Sequence, residues 1–519
     1  MLSTLDLSIV VLYALALFGL AQWVSREKPG HEKDASDYFL AGKALPWWAI
    51  GASLIAANIS AEQIIGMSGS GYAIGLAIAS YEWMAAITLI LVGKFLLPVF
   101  LKTGIYTMPQ FLEQRYDHRV RIVMACFWLG VYVFVNLTSI LWLGALATNT
   151  VAGVDLTLAL VLLGAFAVSY SLYGGLKAVA LTDIIQVLLL VAGGLMIAVI
   201  LLEKVSGGAG VLDGFVTLME TVPDRFDMIL APNHPHYMSL PGLSVLIGGM
   251  WVMNVSYWGF NQYIIQRALA AKSVAEAQKG IAFAAFLKLL MPLIVVLPGI
   301  AMFALNANLA APDQAYPSAM ALLPAGIKGL VFAALLAAIV SSLASMCNSI
   351  STIFTVDLLP SLASQEWLER NRVFSGRVTA LVAMAVAMLA AKPLLGNFDQ
   401  AFQYIQEFTG FFTPGIVAIF LLGMFWAKTT ATGALLAAVA SAVLSLAMKL
   451  LLPTLPFIDR VGVVFLSCVA IAVIWSLLRP QPQPGFLQPS GVSFATSAGF
   501  NGAAVVVTSL LVFFYTVWW

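Results

Sequence analysis

Glu82 and Lys288 are charged residues inside long apolar runs, the first within residues 76–104 and the second within 278–306. An ionised side chain at that depth costs at least ~2.5 kcal/mol even on the mildest insertion scale, so such residues face a polar cavity and find a partner. The alternatives are a purely structural pairing or, for Lys288, an ammonium that snorkels toward an interface. Neutral hydrogen-bonding groups crowd the same depth: Asn58, Gln63, Tyr81, Asn254, Ser256, Asn261, Gln262, Gln403 and Gln406. Amides beside one carboxylate and one amine present donors and acceptors together, which suits a neutral polyhydroxylated ligand. Tyr257, Trp258, Phe402 and Tyr404 stand alongside and could cover the apolar face of a ring. No Arg lies deep in an apolar run, so a phosphate or charged amino acid is a poorer match. Any one of these amides could equally be a helix–helix hydrogen bond. Their clustering is what points to a cavity.

A second chemistry is written in Ser341, Ser342 and Ser345, which share one side of a long helix. Serines let membrane helices pack closely, which is one reading. The other is that two adjacent hydroxyls, with carbonyls freed near Ala56 and Ile59, are the hard neutral oxygens a sodium ion accepts. Asp183 stands near the start of another apolar run, either as an interface residue or on an ion exit path.

The element that must position these groups is the stretch 45–70, where Ala56–Gln63 interrupts an apolar run with small and polar residues. In lipid a broken helix is tolerable only where protein or a bound ion satisfies the freed backbone groups. A matching interruption, Gly248–Gly249 and then Asn254–Gly259, falls in the run 240–266. Interruptions at corresponding positions of two halves point to a transporter site and to an inverted repeat.

Composition agrees. Of 519 residues 61% are hydrophobic and only 9% charged, against roughly a quarter charged in a soluble protein. Apolar runs long enough to span a bilayer fall at about 5–24, 45–70, 76–104, 120–150, 154–173, 177–203, 240–266, 278–306, 324–358, 372–394, 398–424, 428–452, 457–478 and 498–519. The expected fold class is an all-α polytopic membrane protein of about fourteen transmembrane helices. Lys and Arg divide 17 to 6 between the two sets of connections. The excess places the odd-numbered connections in the cytoplasm and both termini outside it. The first run has no basic leader or cleavage site and reads as a retained span. A net charge of +1 points to no nucleic acid, and the three cysteines form no metal or disulfide pattern. No nucleophile–base pair is visible, so an enzyme is not expected.

At this point several stretches carry a resemblance. AANISAEQIIGMSGSG, YSLYGGLKAVALTDIIQ, WGFNQYIIQRALAAKSVAEAQKG, AAIVSSLASMCNS and AFQYIQEFTG resemble the sodium/solute symporter family, within it the sodium/glucose cotransporter branch. The resemblance covers nearly the whole chain. It implies inverted five-helix repeats of the LeuT type with extra terminal helices. As one transporter domain, residues 1–44 would hold the extra first helix and loop, 45–203 the first repeat, 240–424 the second and 428–519 the extra C-terminal helices. It also implies sodium-coupled import of a galactose- or glucose-type monosaccharide across the inner (plasma) membrane, with sodium as the co-transported ion.

Carried over position by position, the resemblance assigns sugar hydrogen bonds to Asn58, Gln63, Glu82, Asn254, Lys288 and Gln406. Tyr257, backed by Trp258, would stack on the sugar as inner gate, and Met67, Tyr81 and Phe402 would close the outer side. Sodium would sit on carbonyls of Ala56, Ile59 and Ala338 and hydroxyls of Ser341 and Ser342, with Asp183 implicated in its release. The chain departs from the pattern at Ala85, where the family member has serine. Rival readings are a symporter for a polyol such as inositol or for a proline-like solute, and a membrane sensor that binds sugar without moving it.

Overall fold

The computed structural model describes residues 2–24, 45–105, 107–171, 176–306, 308–362, 364–396, 400–483, 485 and 491–519. The chain forms α1 (Thr4–Val24), α2 (Trp47–Asn58), α3 (Glu62–Ala73), α4 (Leu76–Thr103), α5 (His118–Ala152), α6 (Leu156–Ser171) and α7 (Leu176–Val205). After a long connection come α8 (Gly249–Val255), α9 (Gln262–Leu269), α10 (Val274–Ala304), α11 (Ile327–Ser361) and α12 (Gln365–Leu395). The chain then continues as α13 (Ala401–Thr409), α14 (Thr413–Phe425), α15 (Ala431–Leu451), α16 (Phe457–Leu478) and α17 (Ala498–Val517).

Among the described residues nine helices are long and apolar enough to cross a membrane, and eleven spans result when two bent pairs each count once. The other three expected spans are α1, α6 and the interrupted stretch 244–269. Each predicted run therefore holds helix among the described residues. Leu162, Leu188, Leu389, Leu446, Leu466 and Val505 are large apolar side chains left exposed around the bundle. Such a surface is stable against lipid and a liability in water.

The first bend falls at the polar interruption Ala56–Gln63 and the second at Gly410–Phe412, within a run that is apolar in sequence. α2 meets α3 at 62° and α13 meets α14 at 46°. At the first break the Asn58 carbonyl accepts the Ser60 N–H at 2.8 Å, and the Ser60 hydroxyl accepts the Glu62 N–H at 3.2 Å. A freed carbonyl, that of Ala57, accepts the Tyr263 hydroxyl from α9. The buried Arg267, one turn on in α9, donates to the Ser53 hydroxyl of α2 at 3.0 Å. The interrupted span thus supplies the donors that the other broken helix lacks, as backbone opened inside a membrane protein requires.

α3 crosses α10 with almost no gap. A Cβ on Gly71 would stand 2.6 Å from the Val296 carbonyl, and one on Gly299 would stand 2.7 Å from the Tyr72 nitrogen. Small residues at a crossing are how membrane helices gain contact without a hydrophobic driving force.

Contacts at the ends assign sides. Asp6 of α1 accepts the Gly326 and Gly329 N–H groups at 2.7 and 2.9 Å, capping the start of α11. Arg225 in the long connection donates to the Tyr72 and Ala73 carbonyls at the end of α3. Asp313, from the connection that leads to α11, packs on Gly69 in the same segment. The Met228 N–H donates to the Trp518 carbonyl at 2.8 Å. The start of α1, both connections and the C-terminus therefore share one side of the bundle.

Candidate functional site

Three helices loosen into π-helical turns around one cavity: Glu62–Gly66, Tyr132–Leu137 and Ser256–Phe260. Such turns are rare and recur at functional sites, because the extra residue frees a carbonyl and re-aims side chains. Here they bring Gln63, Asn136 and Tyr257 to the wall of one cavity of about 90 Å³, partly open.

One wall is a closed network. Lys288 is fully buried in α10, and its Nζ stands 2.5 Å from Glu82 Oε2 of α4. The same ammonium donates to Asn58 Oδ1 at the end of α2. Gln63 Nε2 bridges the pair, donating to Glu82 Oε1 at 2.9 Å and Asn58 Oδ1 at 3.3 Å. The Asn58 amide in turn donates to the Tyr257 hydroxyl at 3.2 Å. Trp258 lies behind, its ring 5.0 Å from the Lys288 ammonium. A buried ion pair survives only when further hydrogen bonds satisfy both ions, and Asn58 and Gln63 supply them.

The structure brings most of the expected residues together. Asn58, Gln63, Glu82, Asn254, Tyr257, Trp258 and Gln406 all line the cavity, as do Tyr81 and Phe402. Lys288 does not line it but stands behind Glu82 and Asn58. Asn254 spends one amide proton on the Met250 carbonyl of its own helix at 3.1 Å. Tyr81 and Phe402 meet edge to face at 5.1 Å, and Met67 is fully buried outside the lining. Ala85 lines the cavity.

Ala56 and Ile59 lie at the break in α2, and Ala338, Ser341 and Ser342 lie along α11. All five are buried, and the two helices are in contact. The Asp183 side chain lies outside the described residues.

Sequence reasoning missed Glu62, Asn136 and Thr409 on the cavity wall. Glu62 carried a signal: like Glu82, it is an acid within an apolar run. Several polar atoms of the wall are buried without a hydrogen-bond partner, namely Gln63 Oε1, Glu62 Oε1, the Tyr81 hydroxyl and Thr409 Oγ1. Unpaired buried polar atoms are uncommon in native proteins. Gathered on one cavity, they describe a polar ligand.

The model of the sodium:solute symporter family matches residues 38–440. The chain belongs to that family. It is therefore a sodium-coupled solute transporter, and sodium is its co-transported ion. Among relatives of this symporter, a sodium/glucose cotransporter of Vibrio parahaemolyticus is 50% identical over all of this chain and 99% of that protein. A human sodium/myo-inositol cotransporter is 32% identical over 98% of this chain and 74% of that protein. A solved structure of a Na+-coupled sialic acid symporter aligns with TM-score 0.79 at 24% identity, covering 93% of this chain and 99% of that one. The nucleobase-cation-symport-1 family transporter Mhp1 aligns at 0.54 over 88% of this chain and 98% of its own, with 15% identity. These likenesses identify the architecture as the LeuT-type fold.

Proposed function

We propose that this symporter imports a neutral monosaccharide of the galactose or glucose type. The observation that carries the reading is the Lys288–Glu82–Gln63–Asn58 network. Its charges cancel, and it leaves the Gln63 amide oxygen unpaired on a cavity that also holds Tyr257 and Trp258. In this reading Asn58, Gln63, Glu82, Asn254 and Gln406 meet the hydroxyls, with Lys288 holding Glu82 in place. Tyr257 stacks on the ring, and Met67, Tyr81 and Phe402 close the opposite side. The sodium/glucose cotransporter among the relatives supports the choice of sugar.

Sodium binds where the break in α2 meets α11, on carbonyls of Ala56, Ile59 and Ala338 and hydroxyls of Ser341 and Ser342. Bound there it ties the broken helix to the serine helix and so organises the cavity. Asp183 receives the ion on release. The repeats run over 45–203 and 240–424 and rock about the cavity. The bias of Lys and Arg sets the shared side of the two termini outside the cytoplasm, in the inner membrane. One sodium moving down ~100 mV contributes ~2.3 kcal/mol, and a tenfold gradient adds ~1.4 kcal/mol. At one-to-one coupling that sustains a sugar gradient of several hundredfold.

A polyol is the second reading. It is favoured by the myo-inositol cotransporter among the relatives. A competition panel of hexoses, inositol and proline against labelled galactose separates the two. Galactose or glucose competing best supports the sugar reading, and inositol competing best contradicts it.

A further inference from the structure

The long connection after α7, residues 206–243, supplies no residue to the cavity wall, yet it grips the helix that covers the cavity. Its short helix Val211–Thr221 lies against α7, and the Met228 N–H is held by the Trp518 carbonyl beyond α17. Between these anchors Arg225 reaches away from its own segment. Its Nη1 donates to the Tyr72 and Ala73 carbonyls, and its guanidinium lies 3.8 Å from the centre of the Phe303 ring in α10. Phe303 in turn meets Tyr72 edge to face at 5.7 Å. The last carbonyls of a helix lack partners within it and carry the negative end of its dipole, so a cation is favoured there. An aromatic face also suits a guanidinium. Gly75 turns the chain at φ +105°, and a Cβ on it would collide with the Arg225 carbonyl. The connection therefore holds the end of α3 with side chain and backbone together.

α3 covers the cavity on the side that carries the termini. Met67 is fully buried outside the lining, and the Ser70 hydroxyl donates to Gln400 Oε1, just before α13, at 3.0 Å. The lining continues the other way, along α5 and α14 to Trp128, Val131 and Ile416. Opening the cavity on the side of the termini requires the end of α3 to move.

We infer that Arg225 is a latch that holds the end of α3 in the closed arrangement and sets how readily the cavity opens on the side of the termini. The inference rests on the rocking of the repeats proposed above and holds for any solute. Ser70→Cys and Ile416→Cys are made separately in a Cys126→Ser background, which removes the exposed native thiol. Labelling by a water-soluble maleimide is timed on the solubilised protein. Position 70 is fully buried behind the closure, and position 416 lines the cavity. Arg225→Gln raises the labelling rate at position 70 about tenfold, the worth of one hydrogen bond from a charged group, and lowers the rate at position 416. Arg225→Lys keeps the charge and gives rates between those of parent and Arg225→Gln. Phe303→Leu leaves the carbonyl contacts in place and moves both rates in the same directions by less. Rates that rise together report general loosening, and that result or unmoved rates overturns the latch. The parent is also titrated with sodium. Opposite shifts at the two positions support the rocking of the repeats, and a parent that shifts at neither overturns the rocking itself.

Discussion

Replacing Lys288 with methionine keeps the length of the side chain and removes its charge. In the parent the ammonium is fully buried, 2.5 Å from Glu82 Oε2, and also hydrogen-bonded to Asn58. Lys288→Met therefore leaves the buried Glu82 carboxylate with only the Gln63 amide at 2.9 Å. Removing one member of a buried pair costs ~3–5 kcal/mol, because the remaining charge is stranded. Glu82→Gln in the same background removes that charge and restores most of the loss. The assay is denaturation of the detergent-solubilised protein for parent, both single variants and the double variant, which together form a double-mutant cycle. The expected result is a double variant more stable than Lys288→Met alone, with all three variants transporting no sugar. Strictly additive losses would refute the pairing, and a single variant with parental uptake would refute the role of the network in binding.

Three further outcomes are expected. Ser342→Ala raises the sodium concentration for half-maximal uptake several-fold while sugar binding at saturating sodium persists; unchanged sodium activation contradicts the ion site. Gly299→Leu fails to give a monodisperse protein on size exclusion, since overpacking a full crossing costs at least ~1–3 kcal/mol and here the obstacle is the backbone of α3. Parental yield and stability would contradict the closeness of that crossing. Ala85→Ser adds a hydroxyl to the lining and shifts the preference between galactose and glucose by up to about tenfold, the worth of one hydrogen bond. An unchanged ratio in the competition assay removes position 85 from the sugar contacts.

Much of this architecture is legible in the sequence, because a bilayer imposes length and hydropathy on every span. The broken helix was legible too, since polar residues such as Asn58 and Gln63 have no reason to stand mid-run unless backbone and cavity need them. What the sequence withheld was pairing. Glu82 and Lys288 each stood out alone, but they are separated by 206 positions, and no periodicity announces that they meet. The π-helical turns were invisible for a similar reason: one extra residue in a turn leaves hydropathy unchanged. Glu62 was visible as an acid within an apolar run, but nothing in the sequence placed it on the cavity wall. Tyr263 bonding to Ala57 joins two interruptions that sequence could match by position but not by contact.

The most direct test is uptake of labelled galactose and glucose into proteoliposomes under an inward sodium gradient, with potassium replacing sodium as control. Sodium-dependent accumulation above the external sugar concentration is predicted, with galactose or glucose as substrate and no accumulation in potassium. Equal equilibration in both salts, or binding without entry, would contradict a sodium-driven sugar symporter.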